Sequence, residues 1–201
     1  MKRNGWSVHG FWEWEKTEEI AVFAMDDKVS NQKSGVIEEL EELLRQFSIP
    51  LAVVDGNSKH GEDLHQILAL LSSSMMGNEI NHDRFEEELR KARGKGLLPY
   101  CVIVLIDKNR YEFYRAPGQQ EPPIYGIGGS DGLAILRCTH REAVRHEFGH
   151  VLGLGLHHPP GVYHPGCVMV YACNPGTTAS FCNECDRKIK KMWREEIMGG
   201  C

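Results

Sequence analysis

No run of about eighteen apolar residues occurs in the chain, so a membrane-spanning helix is not expected. The opening residues, Met-Lys-Arg-Asn-Gly-Trp-Ser-Val-His-Gly, lack the apolar core of a signal peptide. Both absences point to a soluble, cytoplasmic protein with no membrane partner. A basic surface is missing as well. The net charge is −5, the pI is near 6.1 and no block of Lys or Arg stands out, which removes nucleic acid as a first choice of partner. The glycine-rich run from Gly126 to Gly132 lacks the lysine and the following helix that a phosphate-cradling loop needs. Glycines within a strand more often mark close approach by another backbone, which would fit an edge strand that pairs with an extended peptide.

Cysteine does not come in an even number. Of the seven, Cys167, Cys173, Cys182 and Cys185 fall within nineteen residues just after a histidine cluster. In a reducing compartment such crowding favours a metal over disulfides. Cys101 and Cys138 sit in or beside apolar runs and read as packing residues, and Cys201 stands apart.

At 201 residues with 41% hydrophobic content, the chain can bury a core as one domain or as one domain in two lobes. Trp12-Glu13-Trp14-Glu15 has the alternation of a strand. Ile20 to Met25 reads as a buried strand, and Val36, Ile37, Leu40, Leu43, Leu44 and Phe47 form an apolar helical stripe. The glutamates from Glu38 to Glu42 read as the solvated face of that helix. A second strand is expected over Ile49 to Val54, followed by a turn at Asp55-Gly56-Asn57-Ser58. Helix is expected from Glu62, looser around Ser72 to Gly77, and a charged surface helix from Asp83 to Arg93. Tyr100 to Ile106 is apolar on both faces and should lie at the centre of the sheet. Strands over Ile124 to Gly129 and Leu133 to Leu136 follow. Thr139 is the expected N-cap of the next helix, with Glu142 completing a capping box. His60, His65 and His82 have no partners at ligand spacing and are read as exposed or hydrogen-bonded.

That last helix carries the stretch on which function depends, His146 to His158. His146 and His150 are four residues apart and project from one helical face, a spacing at which two imidazoles can hold one small metal ion. Glu147 leans to the side of that face, where a carboxylate can act as a general base. Val144, Phe148, Val151 and Leu152 form the apolar stripe. Gly153 and Gly155 let the backbone leave the helix sharply and return His157 or His158 as a third ligand.

The order His-Glu-x-x-His, Gly153, a histidine beyond it, Cys167-Val168-Met169 and then Cys182-x-x-Cys185 resembles the archaemetzincins, a family of metzincin zinc peptidases with the pattern HExxHxxGxxHC, CxM and CxxC. The match is close from His146 to Cys185. The resemblance implies an α/β (α+β) metzincin-like zincin fold: a twisted, mostly parallel sheet with an antiparallel edge strand, an active-site helix and a small zinc-stapled C-terminal subdomain. It implies one catalytic domain in two lobes, 1–153 with the active-site helix at about 140–153, and 154–201 with Met169 as the methionine turn. Carried over by position, His146, His150 and His157 bind the catalytic zinc and Glu147 is general base and acid. The strict spacing would place the third ligand at Leu156, so His157 needs one extra residue in the turn. His158 then stands where the family has a structural cysteine, giving a second zinc held by His158, Cys167, Cys182 and Cys185. Cys173 and His164 are rival ligands, because eight residues separate His158 from Cys167 and twelve separate Met169 from Cys182, against four and seventeen in the family. Tyr171 stands where a tyrosine of some other metzincins contacts the metal or the oxyanion.

The expected protein is thus a two-zinc metallopeptidase acting on a peptide or protein substrate, aminopeptidase-like on small peptides, with a monomer assumed. One alternative is a zinc-binding scaffold on the same fold without turnover. A zinc-ribbon nucleic-acid module is the other, but Arg187, Lys188, Lys190, Lys191 and Arg194 alternate with Ile189, Met192, Trp193 and Ile197 as the polar side of a packed helix.

Overall fold

The computed structural model describes residues 17–114, 125–129, 132–155, 166–170 and 180–197. The strand expected around Trp12 and Trp14 lies outside them, as does the start of the one expected from Ile124. Along the chain the elements are β1 (Glu19–Ala24), α1 (Asp27–Ser30), α2 (Lys33–Phe47), β2 (Ala52–Asp55), α3 (Gly56–Lys59), α4 (Gly61–Ser73), β3 (Met75–Met76), β4 (Glu79–Ile80), α5 (His82–Gly94), β5 (Cys101–Leu105), β6 (Glu112–Phe113), β7 (Gly126–Gly129), β8 (Leu133–Leu136), α6 (Arg141–Val151) and α7 (Asn183–Lys191). A π-helical turn, Met192–Ile197, extends α7.

The main sheet runs β2-β1-β5-β8-β7, parallel except for β7, which pairs antiparallel with β8 at the edge. β5 occupies the centre, as its two apolar faces require. Strand alternation divides the core into two layers. Ile20, Val22, Cys101, Ile103, Ala134 and Leu136 face one cluster, shared with α2, α6 and α7. Ala21, Phe23, Val102, Val104, Leu133 and Ile135 face the other, shared with α4 and α5. The sheet is therefore sandwiched between helical layers, and the C-terminal residues Met169, Phe181, Ile189 and Trp193 complete the first layer. In α7 the basic residues Arg187, Lys188 and Lys191 are exposed while Ile189 is buried, as the apolar spacing requires.

Several local expectations are corrected. β2 begins at Ala52, and the turn after it is the short helix α3, where Asp55 accepts from the Ser58 amide at 3.2 Å. The stretch after α4 is a hairpin, with Met75↔Ile80 and Met76↔Glu79 across Gly77-Asn78. Gly77 takes φ +68, the left-handed conformation a tight hairpin turn needs. The capping box at Thr139 does not form. His140 is the N-cap, without a side-chain bond, and the Thr139 hydroxyl donates instead to Gln32 Oε1 at 2.7 Å. The glutamates of α2 are not all solvated either. Arg145, buried on α6, donates to Glu42 at 2.7 Å and pairs with Glu39, and Arg141 reaches Glu39 at 3.0 Å. These pairs fasten α6 to α2 along its N-terminal half.

Candidate metal centres

α6 presents His146 and His150 one turn apart, with ring planes crossed at 82° and Nε2 atoms 3.3 Å from each other. Both rings are oriented from behind. His146 Nδ1 lies 2.6 Å from the Val168 carbonyl oxygen, and His150 Nδ1 lies 2.7 Å from that of Leu154. A carbonyl can only accept, so each Nδ1 carries the proton and each Nε2 turns its lone pair toward the other. Burial holds the His146 pKa below its usual value, which keeps this neutral form. Two lone pairs converging at 3.3 Å repel unless a cation lies between them. Nitrogens about 2.05 Å from a tetrahedral ion stand about 3.3 Å apart, so the pair fits zinc.

The Leu154 acceptor depends on how α6 ends. Gly153 takes φ +93, a conformation that favours glycine, and Leu154 N–H closes back on the Gly149 carbonyl at 2.9 Å. This reversal returns the Leu154 carbonyl beneath His150. The chain then leads toward His157 and His158, which lie outside the described residues, as do His164, Tyr171 and Cys173.

Glu147 lies between α6 and the edge strand and is only 7% exposed. Two glycines of β7 make room for it. A Cβ on Gly126 would lie 2.6 Å from Glu147 Cγ, and one on Gly128 would overlap the Glu147 carbonyl oxygen. The close approach expected of these glycines is therefore made by a helix. Burial raises the Glu147 pKa to about 8, against the opposing effect of the Gly128 amide that donates to its carboxylate. A cation nearby would favour the ionised form. The ligand atoms of His146, Glu147 and His150 all fall within 4.8 Å of one another.

Behind α6 the chain turns at residues 166–170. Gly166 has φ +77 and Val170 N–H bonds to the Cys167 carbonyl at 3.2 Å. Met169 is fully buried, its Sδ only 2.6 Å from where a Cβ on Gly149 would sit. Cys167 forms a parallel bridge with Ser180, which brings it to the start of α7. There the Cys182 amide donates to Cys167 Sγ at 3.4 Å, and Cys185 Sγ lies 3.9 Å away. The sulfurs of Cys167, Cys182 and Cys185 are mutually within 4.8 Å. A disulfide needs about 2.05 Å, whereas sulfurs about 2.3 Å from a tetrahedral zinc stand about 3.8 Å apart, so the donors match the ion and not the bond. The Cys185 thiol is pushed well up in pKa, first by its hydrogen bond with Cys167 and then by burial. Deprotonating several thiols here requires a cation.

The chain thus offers two candidate zinc-binding groups on an α/β fold of metzincin type. It is similar to the crystal structure of archaemetzincin from Methanopyrus kandleri, with a TM-score of 0.55 and 17% identity over 88% of this chain and 95% of that one. The likeness is one of fold. No family model matches the chain, and no curated protein matches it. Among the described residues no helix is long and apolar enough to cross a membrane. Sequence reasoning missed the Val168 and Leu154 carbonyls and the Gly128 amide. Backbone groups have no residue type to betray them, although Gly153 and Gly128 marked where two of them would lie.

Proposed function

We propose that the protein is a zinc-dependent metallopeptidase that hydrolyses peptide bonds, with aminopeptidase-like action on small peptides. The observation that carries this reading is the paired Nε2 atoms of His146 and His150, both rings locked from behind, with the Glu147 carboxylate beside them. His146, His150 and His157 would hold the catalytic ion. Bound there, zinc supplies Lewis acidity, polarising the scissile carbonyl and acidifying water. Glu147 takes the proton of the attacking water and hands it to the leaving amine, a role suited to a carboxylate held against β7 beside both histidines. The outer edge of β7, beside Glu147, would align an extended substrate by backbone hydrogen bonds. Tyr171 would contact the oxyanion. His158, Cys167, Cys182 and Cys185 would hold the second, structural zinc, with Met169 as the methionine turn, and cysteines kept as thiols suit a cytoplasmic location.

The test is Glu147→Gln. It should keep two zinc ions per chain and lower peptide hydrolysis by roughly 10²–10⁴-fold. Undiminished hydrolysis would remove Glu147 as the base. A wild-type protein that binds a hydroxamate yet cuts none of a panel of short fluorogenic peptides would favour the scaffold reading, which the shifted third histidine also permits.

A further inference from the structure

The two metal-binding groups meet at one turn. Cys167 belongs to the thiol group, and its neighbour Val168 supplies the carbonyl that fixes Nδ1 of His146 at 2.6 Å. Met169, next in line, packs its Sδ against Gly149 on the same helix. On the far side, the turn is tied to the segment that leads into α7. Ser180 N–H bonds to the Gly166 carbonyl at 2.9 Å, Val168 N–H bonds to the Ser180 carbonyl at 2.8 Å, and the Cys182 amide reaches Cys167 Sγ at 3.4 Å. Phe181 sits between these ties and also meets Gly149, its Cε1 3.0 Å from the glycine's would-be Cβ.

We propose that Cys167 is a positioning residue for His146: anchored with Cys182 and Cys185 to a common ion, it holds the Val168 carbonyl in place and thereby sets the metal affinity of the histidine group. The inference rests on the reading that both groups hold zinc. Its physical basis is the freedom of an imidazole. α6 places the Cβ of His146, but the ring can still rotate, and its proton can move to the other nitrogen. The Val168 carbonyl removes both freedoms. When the thiol group is empty, the three sulfurs share no ion, so the bonds that clamp Cys167 to Cys182 and Cys185 through it are lost. The turn then relaxes, and the acceptor leaves His146. Hydrogen-bond partners that orient a metal ligand from behind typically change metal affinity by roughly 10–100-fold. Because the coupling is a free energy, filling the histidine group must tighten the thiol group by the same factor.

The experiment compares wild type with Cys185→Ser and Cys185→His, measuring zinc content, zinc affinity by chelator competition and the slowly exchanging Nδ1 proton resonance of His146. Cys185 lies on α7 and meets the turn at Cys167 Sγ, 3.9 Å away, so each substitution changes the ligand set and leaves the residues of the turn and His146 as they are. Cys185→Ser should lose one zinc, bind the remaining ion roughly 10–100-fold more weakly and lose the Nδ1 resonance. Cys185→His retains a ligand and should restore all three. An affinity within about twofold of wild type with the thiol group empty, or a resonance that persists there, overturns the proposal. If Cys185→Ser does not fold, the thiol-held zinc is extracted from wild type with an organomercurial and restored with excess thiol and zinc. The same loss and recovery of affinity and resonance are then expected, and their absence overturns the proposal equally. None of these readouts depends on hydrolysis. A protein that fills both groups and cuts no peptide would sink the peptidase reading alone, whereas one in which His150→Ala removes no zinc would overturn both.

Discussion

The histidine group and the thiol group are built in opposite ways. His146, Glu147 and His150 all come from α6, whose regular backbone fixes their spacing before any tertiary contact forms. Cys167 and Cys182 are fifteen residues apart, and they meet only because Cys167 bridges Ser180 and α7 starts at Asn183. A helix delivers Cβ atoms at fixed intervals but leaves each ring free to turn. The histidine group therefore takes its precision from two loop carbonyls. One of these, Val168, lies next to Cys167 of the thiol group. The group that is simpler in sequence is thus the more dependent in structure.

The largest expected effect comes from removing a histidine ligand. His150→Ala should reduce zinc from two ions per chain to one, leave the thiol-held ion in place and lower hydrolysis by at least about a thousandfold, since Lewis-acid stabilisation is worth several kcal/mol. Metal analysis together with a peptide assay reads both outcomes. Loss of both ions would show that the two groups form a single site, and the contrast between them would collapse.

A smaller effect, divided between stability and activity, is expected at the edge strand. Gly128→Ala puts a methyl group into the backbone carbonyl of Glu147, which cannot swing aside, so β7 must move from α6 at a cost of about 1–3 kcal/mol. Gly126→Ala meets the Glu147 side chain instead, with Cγ at 2.6 Å, and a side chain can yield. Denaturant unfolding should show the larger loss for Gly128→Ala. The peptide assay should show that Gly126→Ala loses more activity than its stability explains, because the carboxylate is displaced. Equal losses in both assays would mean that Glu147 is held by the wider packing and not by these two glycines.

How much of this could be read from the chain follows from the same contrast. The spacing of His146, Glu147 and His150, the amphipathic stripe of α6 and the double-faced β5 are local patterns, and the structure agrees with each. A thiol group was legible from the crowding of Cys167, Cys173, Cys182 and Cys185, of which the structure brings Cys167, Cys182 and Cys185 together, Cys173 lying outside the described residues. Tertiary partners were not. Thr139 has the chemistry of an N-cap, but Gln32, which precedes it by 107 residues, takes its hydroxyl. Glu39 looks like part of a solvated run until Arg145 arrives from α6. The β3–β4 hairpin has only two residues in each strand, too few for alternation to register, although Gly77-Asn78 is a recognised hairpin turn.

The smallest expected effect separates the two neighbours inside the 166–170 turn. Val168 acts through its backbone carbonyl and Met169 through its side chain, so substitutions of the Met169 side chain should leave the hydrogen bond to His146 intact. Met169→Leu nearly conserves volume, and such exchanges in a core usually cost less than about 1.5 kcal/mol. Thermal unfolding of the zinc-loaded variant should register a modest drop, with zinc affinity at the histidine group within a few-fold of wild type. The sulfur faces Gly149, where a slim, flexible side chain fits, so the branched leucine must tilt within its own packing while the backbone of the turn stays in place. If affinity instead falls as far as it does when the thiol group is emptied, the thioether and the carbonyl position His146 together, and the turn has no division of labour.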